Sequence, residues 1–133
     1  MKKTGNSYPD TNVIIRYLIK DDERLYSRAK DFFDEVRTGD RKAVVLESVI
    51  AESIYVLMKI YQVPRERAAG SIVDILHYKG VVNGDRNVLI KALDLFVSQD
   101  LDIVDCILCA KAHDEGAVLI SFDRDLLKTF QSS

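Results

Sequence analysis

The chain has 133 residues, enough for one domain with a sizeable core and too few for several, so residues 1–133 are expected to form a single domain. Apolar residues make up 47% and charged residues 30%, and the net charge of -2 argues against a strongly basic nucleic-acid binder without excluding nucleic acid as a substrate. No apolar run approaches the roughly 18–20 residues that span a bilayer, and residues 1–8 carry two lysines but no apolar h-region, so no membrane partner and a cytoplasmic location are expected.

Residues 7–9 read as a short strand, with Pro9 awkward there because it has no N–H to give a ladder. Asp10 stands at a helix N-cap, and 11–20 carries Val13, Ile14, Tyr17 and Leu18 at helical spacing. Residues 25–38 predict a second amphipathic helix, with Ala29, Phe32, Phe33 and Val36 inward. Residues 43–46 are short and β-branched, hence a strand. Helical spacing resumes over 47–61, where Ile50, Ile54, Leu57 and Tyr61 form the stripe and Glu52 lies on its border. Pro64 opens a helix to about Tyr78. A strand at 80–82, a turn at 83–85 and a helix at 87–99 follow. A helix from about 102 to 115, a turn at Gly116, a strand at 117–121 and a short helix carrying Leu126, Leu127 and Phe130 complete the chain. Residues 131–133 should fray.

Strands alternating with helices or helix pairs predict an α/β fold: a short, mostly parallel sheet with helices on both faces. Ligands of such sheets sit beyond the C-terminal strand ends. Asp10 follows the first strand and Asp123 the last. Glu52 lies about one and a half turns into the helix after the second strand. Asp105 shares a helix stripe with Cys109 and Ala112, away from the water side marked by Lys111, Asp114 and Glu115. A carboxylate on a packed stripe is costly unless a hydrogen bond, a cation or a metal answers it. Four acids converging on one sheet edge would repel unless cations held them, and oxygen-only sites suit Mg²⁺ or Mn²⁺. Such a site favours hydrolysis of a phosphodiester.

Cys106 and Cys109 form a C-x-x-C inside a helical pattern with no second pair, which reads as packing rather than redox or zinc chemistry. His77 and His113 sit on helix flanks and are not expected to be catalytic. No Ser–His or Cys–His pair invites a covalent route.

Four stretches resemble the motifs of PIN-domain nucleases, in particular the VapC toxins of toxin–antitoxin pairs: Pro9-Asp10-Thr-Asn12-Val-Ile-Ile-Arg16, Ala51-Glu52-Ser-Ile-Tyr-Val-Leu57, Asp105-Cys-Ile-Leu-Cys-Ala110 and Ile120-Ser121-Phe-Asp123-Arg-Asp125. The resemblance runs over nearly the whole chain, although Pro9 stands where a hydrophobic residue is usual. It implies a PIN-like three-layer fold with four to five strands and a Mg²⁺- or Mn²⁺-dependent ribonuclease. Asp10, Glu52, Asp105 and Asp123 would be its metal-binding and catalytic acids, supported by Asn12 and Ser121. It also implies a homodimer and a cognate antitoxin that blocks the site. Asp102 and Glu47 are neighbouring acids better explained as helix-start residues.

The alternatives are a PIN-like DNA nuclease, disfavoured by the short chain, and a non-catalytic module that docks a basic peptide on its acids. A phospho-aspartate phosphatase fits less well, since Asn12 stands where it would place a second Asp. Arg16, Lys20 and Arg124 are the candidate contacts to RNA phosphates. No aromatic platform reveals a preferred RNA sequence.

Overall fold

A computed structural model describes residues 5–133; residues 1–4, part of the stretch read for a leader, lie outside it. The chain falls into two units, Met1–Gly84 and Asp85–Ser133.

In the first unit, β1 (Asn6–Ser7) pairs in parallel with β2 (Lys42–Ala43), Asn6 opposite Lys42 and Ser7 opposite Ala43. A single parallel bridge joins Ala43 to Val81 on the other side. The three strands expected here are therefore real in position and shorter than their apolar runs. β1 ends before Pro9, which has no N–H to extend the ladder. Beyond β2 the pairing is carried differently: Val44 N–H donates to Ser7 C=O (2.9 Å), but Val45 bonds to the side chain of Asn83 instead of a strand. At 80–82 the strand is one bridge long, and Gly80 lies hard against the neighbouring backbone. Its N–H donates to Val36 C=O at 2.7 Å, and a Cβ there would stand 2.1 Å from Arg41 O.

Helices α1 (Thr11–Leu18), α2 (Glu23–Thr38), α3 (Glu47–Tyr55) and α4 (Arg65–Leu76) supply the rest of this unit. Asp22 caps α2 by accepting the Leu25 N–H, so the helix starts two residues before the apolar pattern does. Ile14, Phe33, Val36, Ile50, Leu57, Ile72 and Leu76 are fully buried, each contributing about 1.5–3 kcal/mol by leaving water. The Tyr17 ring stacks on Phe33 with centroids 4.5 Å apart. The long helix expected over 47–61 is not uniform: α3 continues into a π-helical turn, Val56–Ile60.

The second unit holds α5 (Arg86–Ser98), α6 (Ile103–Asp114) and α7 (Arg124–Ser132), with α5 packed on α6 and α6 on α7. Gly116 turns the chain after α6 with φ +62, and Ala117 N–H folds back onto Ala112 C=O at 2.8 Å. Residues 117–121, expected as a strand, run without sheet pairing among the described residues. Their alternation persists: Leu119 is buried, while Val118 and Ile120 are exposed. Period-2 patterning prescribes an extended backbone and is silent on its partner. The tail expected to fray is helical to Ser132, whose hydroxyl donates to Lys128 C=O.

Candidate active site

Asp10 owes its position to chain chemistry on both sides. Pro9 before it is buried and fixes its own φ; the extended backbone of Asp10 then lets its side chain accept the Val13 N–H at 3.0 Å. The cap holds the carboxylate through Oδ1. Helix α3 packs on α1, and that contact brings Glu52 to the same place. Asp10, Thr11, Asn12 and Glu52 line one cavity of about 410 Å³ together with Ile15, Val56, Ile60 and Tyr61. Thr11 Oγ1 is buried and has no hydrogen-bond partner among the described residues. Asn12 faces the cavity beside Asp10. The donor set is oxygen throughout, the kind that suits a hard divalent cation.

The π-helical turn shapes the far wall. Tyr61 N–H donates to Val56 C=O at 3.2 Å, five residues back, and the added residue turns Tyr61 relative to a regular helix. The Tyr61 hydroxyl donates to Asp21 Oδ2 at 3.2 Å, while Arg16 holds Oδ1 of the same carboxylate at 2.8 Å. Desolvation pushes Asp21 upward, but the hydrogen bonds from Arg16 and Tyr61 outweigh it and hold the carboxyl below its usual range. The sequence placed Tyr61 only in the apolar stripe and did not single out Asp21, since nothing in the apolar spacing marks an extra residue in the helix.

A second cavity, of about 470 Å³, shares Asp10 and Asn12 with the first and is lined further by Tyr8, Arg16, Arg28, Phe32 and Arg41. Arg28 and Arg41 were also missed, since they come from separate elements.

In the second unit, Asp105 sits half-buried in the first turn of α6. Burial, then the charges of Asp102 and Asp123, push its carboxyl upward. Asp102 is exposed and makes no side-chain cap bond. Asp123 caps α7, its Oδ1 accepting the N–H of Asp125 (2.9 Å) and of Leu126 (3.1 Å). Ser121 Oγ accepts the Asp123 N–H at 2.9 Å, so the hydroxyl two residues earlier fixes the backbone that presents the acid. Asp105 and Asp123 are thus near enough to act on each other, while Asp10 and Glu52 line one cavity in their own unit. Among the described residues no three His, Cys, Asp or Glu side chains are grouped as a metal ion would need.

The remaining candidates lie outside these two acid pairs. Lys20 lies over the Tyr26 ring at 5.1 Å, and Arg124 is an exposed first residue of α7. Glu47 opens α3. His113 Nε2 bonds to Phe130 C=O at 2.6 Å and its ring packs on Phe130, tying α6 to α7. His77 bonds back to Val73 C=O. Cys106 and Cys109 are buried, and burial pushes the Cys109 thiol up. No helix among the described residues is long and apolar enough to cross a membrane.

Compared with known proteins, residues 7–130 match the family model described as PIN domain. That span takes in all four sequence motifs and parts of both units. No curated protein and no solved structure matches the chain.

Proposed function

Because the chain belongs to the PIN domain family, nuclease domains that generally use divalent metal ions, we propose that it is a Mg²⁺- or Mn²⁺-dependent endoribonuclease. Its metal-binding acids are Asp10, Glu52, Asp105 and Asp123, with Asn12 and Ser121 in support and Arg16, Lys20 and Arg124 toward the RNA phosphates. Residues 1–133 act as one PIN-like domain whose central sheet has four to five mostly parallel strands. The observation that carries the reading is the pairing of Asp10 with Glu52: carboxylates from two separate helices line one cavity, with the unpartnered Thr11 hydroxyl between their elements.

A divalent cation would supply Lewis acidity, neutralising charge that builds on the phosphodiester and making water a better nucleophile at neutral pH. The chain's own contribution is orientation. The caps on Val13 and on Asp125 and Leu126 hold Asp10 and Asp123 with one oxygen engaged, so their carboxylates are aimed before substrate arrives. Ser121 fixes the loop beneath Asp123. Asp105, its carboxyl pushed up by burial and by the charges of Asp102 and Asp123, would be held ionised by a nearby positive charge.

The biological role proposed is that of a VapC-type toxin: a cytoplasmic homodimer silenced by a cognate antitoxin. Support comes from the acid pair itself, which suits capture by an antitoxin Arg or Lys. The test is cleavage of labelled RNA with Mg²⁺, Mn²⁺ or EDTA by the wild type, Asp10→Asn and Asp105→Asn. Cleavage should require the metal and fall about 100-fold or more in either variant. Equal activity in every arm would overturn the proposal, and preferential cleavage of DNA would replace the substrate. Specific metal binding separates this reading from a peptide-docking module.

A further inference from the structure

One cavity of this acidic chain gathers arginines from separate elements. The 470 Å³ cavity that shares Asp10 and Asn12 with the acid-lined one is walled by Arg16, Arg28 and Arg41, three guanidinium groups against the single carboxylate of Asp10. Its volume falls in the range of about 300–1,000 Å³ typical of small-ligand sites. Arg41 is fixed in place: its Nε–H donates to Ser7 Oγ at 3.1 Å and its guanidinium lies over the Phe32 ring at 5.2 Å. Glu35, at 3.8 Å, is a distant counter-ion for it. Arg16 Nε is buried without a hydrogen-bond partner among the described residues, although its Nη1 is held by Asp21. Arg28 is exposed and has no carboxylate partner among the described residues. At the rim, Tyr8 is 62% exposed, and no ring or cation is recorded over it among the described residues.

Guanidinium groups with free donors, one of them already oriented, recognise phosphate by its fork geometry and charge. An open aromatic ring beside them takes a nucleobase in any sequence. We propose that this cavity holds the nucleotide adjoining the cleaved bond, its phosphate on Arg28 and Arg41 and its base against Tyr8. The strand then passes Asp10 from the basic cavity to the acidic one. The proposal rests on the ribonuclease reading and adds to it where the substrate lies on the protein. It also gives a chain of net charge -2 a local foothold for a polyanion, since Arg16, Arg28 and Arg41 line one cavity.

The test measures binding of a short fluorescent single-stranded RNA in EDTA, over a salt series, so that cleavage plays no part. Arg28→Ala should lower the slope of log affinity against log salt by about 0.7, the value for one phosphate contact on a single strand. Arg28→Glu should weaken binding by roughly tenfold or more, and Tyr8→Ala by about 5- to 100-fold. Arg67→Glu, an equal charge change on an exposed residue of α4 outside the cavity, should leave binding within about twofold of wild type. Thermal melts of the same variants read folding, which exposed Arg28 and Tyr8 should not disturb. If Arg28→Glu and Arg67→Glu weaken binding alike, or neither does, while the wild type cleaves RNA with Mg²⁺ or Mn²⁺, the cavity assignment fails and the nuclease reading stands. A wild type that neither binds nor cleaves RNA overturns both.

Discussion

Asn83 does for Val45 what a neighbouring strand would do. Its side-chain oxygen accepts the Val45 N–H at 2.9 Å and its amide nitrogen donates to the Val45 C=O at 2.7 Å. The amide thus prolongs the sheet by one residue where the backbone has already turned away. Asn83→Ala would strip both bonds from a fully buried residue. The expected loss is about 2–4 kcal/mol of stability, read from a urea transition. Asn83→Asp should lose nearly as much, because it keeps the acceptor and sets a carboxylate against the Val45 carbonyl.

Gly80→Ala should be the most damaging single-methyl change in the first unit. The Cβ would lie 2.1 Å from Arg41 O and 2.6 Å from Val36 O, both backbone atoms that cannot swing aside. A penalty above roughly 3 kcal/mol is expected, seen as a lowered thermal midpoint or loss of soluble protein. Gly70→Ala, where nothing lies within 4 Å, is the matching control and should be tolerated.

The Tyr17 and Tyr78 hydroxyls meet at 2.6 Å. Burial and this bond push the Tyr78 phenol above its ordinary value of 10.0. The folded state therefore holds that proton more tightly than the unfolded chain does. The stabilisation is complete below pH 10 and is lost as pH rises from there through the raised folded value. Unfolding monitored between neutral and strongly alkaline pH should show a steeper decline in the wild type than in Tyr78→Phe.

A divalent ion that binds only the folded chain should stabilise it. With Mg²⁺ or Mn²⁺ at about 100 times its Kd the gain is about 2.7 kcal/mol, reversed by EDTA. Asp10→Asn should abolish the gain while keeping the start of α1, since Asn caps a helix as well as Asp does. Thermal melts with and without metal separate the two effects.

What could be read from the residues, and what could not, divides along the range of the interactions. Asp10 as a cap and Ser121 as a brace two residues before Asp123 depend on atoms a few bonds apart, and spacing alone discloses them. The partial burial of Asp105 also followed from its position on the helix wheel. The lack of a sheet partner for 117–121, the Asn83 amide and the arginine wall depend on segments far apart in sequence. No local pattern names their partners. The π-helical turn was hidden for another reason: Ile50, Ile54, Leu57 and Tyr61 keep ordinary helical spacing right through it.

That turn sets two alignments at an angle that a uniform helix would not provide. In a regular helix, rotating the segment to aim Glu52 would dictate where Tyr61 points, nine positions on. The extra residue between Val56 and Ile60 resets that angle, so that Tyr61 meets Asp21 while α3 packs against α1. The acid and the tyrosine thus line one cavity at a relative angle that an uninterrupted α-helix would not give.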